Sequence, residues 1–194
     1  MGKEWVDVWA DDIKPEFSRR DLLGMGAGAL ISICPISAIA GTVRGAHRSV
    51  ALRNVRTDEA LKLVYWEGGR YVPESLREIN HILRDFRTGE TAPIKVRLVD
   101  LLYAMQRRIG ASKAINIVSG YRSPETNAML RRSSRGVAKN SYHISGMAVD
   151  IKIPGYTTSQ VAGLAKSLNV GGVGYYPRSG FVHVDVGPVR SWRG

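Results

Sequence analysis

Near the C-terminus, Val182, Val184 and Val186 occupy every second position and alternate with Phe181, His183 and Asp185. β-branched residues at period two build a strand with one apolar face, and that face has to be covered by another layer. The same alternation delivers a histidine and a carboxylate together to the opposite face. An earlier run, Ala148-Val149-Asp150-Ile151, repeats the pattern: Val149 and Ile151 share one face and Asp150 the other. His143 stands at the end of the loop entering that run, after the irregular polar stretch 131–140.

The remaining elements follow from periodicity and punctuation. Residues 49–55 and 61–66 alternate and are split by Arg56-Thr57-Asp58-Glu59, which predicts a β-hairpin closed by Gly68-Gly69. Pro73-Glu74-Ser75 opens a helix whose apolar stripe, Leu76, Ile79, Ile82, Leu83 and Phe86, runs to Gly89. A second helix is predicted over 97–109 and stops at Gly110. Then come a strand at 114–118, helices at 124–132 and 158–168, and strands at 148–153, 173–176 and 181–186. The composite is an α+β fold with a central antiparallel or mixed sheet and flanking helices. With 194 residues, 44% of them hydrophobic, the chain can bury one domain core, assigned here to residues 41–194.

Residues 1–40 read as an address. Ser18-Arg19-Arg20-Asp21-Leu22-Leu23 opens a glycine-rich apolar stretch that ends in Ala38-Ile39-Ala40. Paired arginines, a modest apolar core and an Ala-x-Ala site are the parts of a twin-arginine export signal, cleaved after Ala40. An uncleaved signal would leave an inner-membrane anchor. Either outcome places the remainder in the periplasm or otherwise beyond the inner membrane.

Cys34, the single cysteine, falls inside that segment, so any metal in the folded part must be held by histidine and carboxylate. Residues 1–40 hold 4 Lys+Arg against 6 Asp+Glu, which leaves 24 against 11 for residues 41–194. Such a basic field attracts anionic polymers, a bacterial wall among them. A nucleic-acid partner is not expected, because no binding motif accompanies the charge.

Two neutral imidazoles with one carboxylate are a ligand set for catalytic zinc, with the fourth position left for a water. His143, Asp150 and His183 supply that set. The same residue types also suit histidines held in a core by hydrogen bonds alone.

Several strings then occur in order: Ser119-Gly120-Tyr121-Arg122-Ser123, residues 133–139, His143 with Asp150 seven positions on, Gly171-Gly172-Val173-Gly174-Tyr175-Tyr176-Pro177-Arg178, and Phe181-Val182-His183. Together they resemble the murein endopeptidase K group of the D-Ala-D-Ala metallopeptidase and hedgehog-like superfamily, over most of residues 50–192. The resemblance implies that fold, one zinc ion on His143, Asp150 and His183, and hydrolysis of peptidoglycan cross-links between diaminopimelate residues. D-Ala-D-Ala carboxypeptidase or D-Ala-diaminopimelate endopeptidase activity is the enzymatic alternative. A non-catalytic, zinc-containing wall-binding domain is the alternative of another class.

In many superfamily members an acid or histidine lies two or three residues before the last ligand, where this chain has Phe181 and Gly180. Asp185 is the first candidate for activating the water, and its other reading is a carboxylate bonded to a ligand imidazole. Arg122 resembles an arginine that binds the substrate carboxylate or polarises the scissile carbonyl, as its planar fork allows; a tie to Glu125 or a backbone carbonyl is the other reading. Ser123, Tyr142 and Tyr176 are assigned to substrate binding with Arg122; Tyr142, Tyr175, Tyr176 and Arg178 would line a groove for the wall peptide, and their other reading is half-buried packing. His81 is a further candidate for the base, though on an amphipathic helix it reads rather as a helix-surface or satisfied core histidine, and His47, in the mature N-terminus, has no role.

Overall fold

A computed structural model describes residues 47–194 except 111, 112 and 135. The expected export signal lies outside the described residues. Among the described residues, eight strands form one mixed sheet in the order β3-β2-β1-β4-β5-β7-β6-β8. β1 (His47–Asn54), β2 (Ala60–Glu67) and β3 (Arg70–Tyr71) form an antiparallel edge. β4 (Ile115–Ser119) runs parallel to β1 and antiparallel to β5 (Ala148–Lys152). β7 (Phe181–Asp185) pairs antiparallel with both β5 and β6 (Gly172–Tyr176), and β8 (Arg190–Arg193) closes the far edge parallel to β6. His47 is therefore the first residue of a strand, paired with Glu67.

Alternation sorts the strand residues as expected. Ile115, Ile117, Val149, Ile151, Val182 and Val184 are fully buried in the core, with Leu98, Leu102 and Met105 of α2 (Val96–Ile109) and Val161 and Ala165 of α4 (Thr158–Ser167). Burial of that size, at roughly 25 cal/mol per Å² of apolar surface, is the main stabilising contribution.

α1 (Pro73–Ile82) ends earlier than its apolar stripe suggests. Asp85 diverts the chain: its side chain accepts from Arg87 N at 3.0 Å, and its backbone pairs with Gly89 and Glu90. A short carboxylate that bonds nearby amides competes with helix propagation. β3 and β8 are absent from the sequence reading, since two residues and Arg-Ser-Trp-Arg carry no apolar alternation.

Candidate metal centre

The site is assembled where loops meet the polar face of β5 and β7. After β4 the chain turns through Gly120 against the end of α1, with Tyr121 N donating to Leu83 O at 2.6 Å. A Cβ on Gly120 would overlap that Leu83 carbonyl, so only glycine fits. Ser123 is fully buried, and its amide donates to Asp85 Oδ2 at 2.9 Å. Its hydroxyl accepts from Thr126 N at 3.1 Å and caps α3 (Pro124–Ser133). Burial raises the Asp85 carboxyl, and bonds from Thr126, Ser123 and Arg87 outweigh it, leaving the pKa below the ordinary value.

A second loop carries His143 in consecutive turns: Ile144 N donates to Ser141 O, and Met147 N to Tyr142 O. Arg122 N donates to His143 O at 3.2 Å and stitches the two loops together.

Hydrogen bonds decide which imidazole nitrogens are free. His143 Nδ1 lies 2.7 Å from Gly120 O; a carbonyl only accepts, so Nδ1 carries the proton and Nε2 presents a lone pair. His183 lies between two carboxylates; with Nε2 3.0 Å from Asp185 Oδ2 and donating to it, Nδ1 is the nitrogen turned toward Asp150 and His143. His143 Nε2 is 3.2 Å from His183 Nδ1 and 3.3 Å from Asp150 Oδ1, and His183 Nδ1 is 2.9 Å from the same oxygen. All three residues are buried, and these donor atoms lie within 4.8 Å of one another.

Two facing lone pairs beside a carboxylate repel unless a cation or proton lies between them. The donor set therefore fits a divalent metal with nitrogen and oxygen preferences. Burial lowers the His143 pKa more than Asp150 raises it, which keeps that ring neutral. At His183 burial also acts downward, yet Asp150 and Asp185 outweigh it and the pKa is raised. Burial raises Asp150, but His143 and His183 together hold it well below the usual carboxylate range.

The family model for peptidoglycan L,D-endopeptidase MepK matches residues 43–192. The chain belongs to that family. Peptidoglycan L,D-endopeptidase MepK of Escherichia coli strain K12 is 43% identical over 180 residues, 92% of this chain and 99% of the relative. The probable peptidoglycan L,D-endopeptidase MepK of Haemophilus influenzae is 43% identical over 179 residues, covering 91% and 96%. The family resemblance read from the motifs is thereby borne out.

Within this family member the three residues open onto a cavity of about 430 Å³, lined also by Arg122, Tyr142, Tyr176, Phe181, Arg190 and Trp192. Arg122 is nearly buried; its Nη2 is 3.7 Å from Asp150 Oδ2 and 3.5 Å from Ser119 Oγ, and Nε is buried without a hydrogen-bond partner. Its ion-pair neighbour is Asp150 rather than Glu125. Burial lowers its pKa. Tyr176 stacks on Phe181 at 4.6 Å and accepts from Trp192 Nε1 at 3.0 Å.

Other expected contacts fall elsewhere. Ser123 does not line the cavity; as the buried cap of α3 it anchors the loop that holds Arg122. Arg178 borders a different cavity with Arg193, and Tyr175 lies under the Arg193 guanidinium. His81 is exposed on α1, 3.6 Å from Glu59. Asp185 is fully buried and accepts from Gly172 N, Gly187 N, His183 Nε2 and both terminal nitrogens of Arg190. Burial raises its carboxyl, but these bonds dominate and hold it well below the usual range. Asp85, Arg190 and Trp192 escaped the sequence reading; the helix start Ser123-Pro124 was the one local hint that something must hold that loop.

Proposed function

We propose that this chain is a zinc-dependent murein endopeptidase that hydrolyses peptide cross-links between diaminopimelate residues, outside the bacterial cytoplasm. One observation carries the proposal: in a chain of the MepK family, two histidines, each held by a hydrogen bond at its other ring nitrogen, converge with a carboxylate beside a cavity. Its relatives are named peptidoglycan L,D-endopeptidases, which supports the substrate and a location in the periplasm or otherwise beyond the cytoplasm. Residues 1–40 act as a twin-arginine signal, and residues 41–194 as the mature domain. Among the described residues no helix is long and apolar enough to cross a membrane.

His143 Nε2, His183 Nδ1 and Asp150 would hold one zinc ion. When bound, such an ion lowers the pKa of a water toward about 7 and polarises a carbonyl oxygen. Gly120 O and Asp185 orient the two imidazoles. With its oxygens taken by five hydrogen bonds, Asp185 serves as a positioning group and not as the proton acceptor. Arg122 supplies a desolvated planar donor to a substrate carboxylate or to the scissile carbonyl. Tyr142 and Tyr176 flank the wall peptide.

Incubating the purified protein with cross-linked murein, with mass spectrometry of the products, tests the proposal. New ends at diaminopimelate–diaminopimelate links support it. Released D-alanine, or ends only at D-Ala–diaminopimelate links, would reassign the bond. Murein that is bound and left intact would overturn the enzymatic reading in favour of a wall-binding domain.

A further inference from the structure

We infer that Arg190 is a positioning residue for the metal centre, acting through Asp185 to hold the His183 ring with Nδ1 facing Asp150 and His143. The inference rests on reading that trio as a metal site.

Arg190 begins β8 and lies opposite Gly172 in the parallel β6–β8 pairing. Its Nη2 lies 2.7 Å from Asp185 Oδ2, and its Nη1 3.1 Å from Asp185 Oδ1 and 3.0 Å from Pro188 O. This two-pronged contact fixes the carboxylate plane, which a single ammonium cannot do. Asp185 Oδ2 is also the acceptor for His183 Nε2 at 3.0 Å. The chain of contacts thus runs Arg190, Asp185, His183, and ends on the nitrogen that faces the other two ligands.

The guanidinium is itself held. It lies 5.2 Å from the Tyr142 ring centroid and 4.9 Å from that of Trp192, while the Trp192 ring approaches His183 to 5.2 Å. Contacts of a cation with two aromatic faces restrict a side chain that would otherwise sample many rotamers. Gly172 makes the space: a Cβ there would collide with Arg190 Nη1 and Asp185 Oδ2. Asp185 is fully buried, so without Arg190 its charge would lose its cationic partner. The imidazole could then turn or change tautomer.

Chelator-competition titration gives zinc affinity for the wild type, Arg190→Ala, Arg190→Lys, Asp185→Asn and the double variant Asp185→Asn/Arg190→Ala. The melting temperature of each metal-free protein is recorded alongside. Arg190→Ala should weaken zinc binding by roughly 10–100-fold, the range for outer partners of metal ligands. Arg190→Lys should recover part of that loss, and it carries the test should the alanine variant not fold. In the Asp185→Asn background, removing Arg190 should add little, because both act on one ring. Wild-type zinc affinity in Arg190→Ala would overturn the inference, including where KM or stability changes and Arg190 is then a substrate or packing residue. A wild type that binds no zinc would bring down the metal-site reading itself and this inference with it.

Discussion

Asp150 and His183 stand directly opposite each other in the antiparallel β5–β7 ladder, with Asp150 Oδ1 2.9 Å from His183 Nδ1. Strand register therefore sets this pair, and the valines on the other face lock the register by being buried. Asp150→Asn keeps the shape but removes the anionic oxygen that both imidazoles face. Zinc affinity should fall by more than the roughly 10–100-fold associated with outer partners, with the far-UV circular dichroism unchanged. Metal titration checks this, and an unaltered affinity would remove Asp150 from the ligand set.

Arg122 brings a nearly buried guanidinium with an unpartnered Nε to the cavity wall. Arg122→Ala should leave metal content unchanged while kcat/KM on murein fragments drops about 10–150-fold, the equivalent of roughly 1.5–3 kcal/mol for a charged hydrogen bond. Arg122→Lys should recover only a fraction, since a point charge does not reproduce the fork. Steady-state kinetics with parallel metal analysis separate a substrate role from a ligand-holding one.

Asp85, following α1, contributes acid-sensitive stability by holding the loop that carries Arg122. Its folded pKa is depressed, so its contribution is fully present above the unfolded value of about 3.9 and is lost as pH falls through the folded value. At neutral pH, Asp85→Asn should lower stability by about 1–3 kcal/mol, because an amide accepts less strongly from the buried Ser123 N–H. The gap between wild type and variant should narrow below pH 3.9. Thermal melts across pH 2.5–7 measure it, and a gap independent of pH would contradict the assignment.

Gly120 links stability to the proposed metal centre. Gly120→Ala forces a methyl group onto the Leu83 carbonyl, and overpacking of this kind costs about 1–3 kcal/mol. Because Gly120 O also fixes the His143 tautomer, the variant should lose zinc affinity along with stability. Melting curves and chelator competition on one sample distinguish this from a purely mechanical effect, in which affinity would hold.

The strands that carry Asp150 and His183 were legible because each encodes its own orientation: Val149 and Ile151 declare a buried face, and Asp150 must then point away. The same holds for Val182 and Val184 around His183. Arg190 and Trp192 were not legible, since Arg-Ser-Trp-Arg shows no alternation and acquires its meaning from parallel pairing with β6. Asp85 sat within a helical stripe, and its role depends on Ser123, which is distant in sequence. Ser123 itself was readable in part: a serine followed by proline marks a helix start, and a capping hydroxyl is not free for substrate.

On the proposed function, metal binding and murein cleavage depend on one cluster. Metal analysis of wild type and His143→Ala, with product analysis of murein incubated with the same samples, tests it most directly. One zinc ion per wild-type chain is expected, with new cross-link ends, and both should be lost in the variant. Full cleavage by His143→Ala stripped of metal would contradict it.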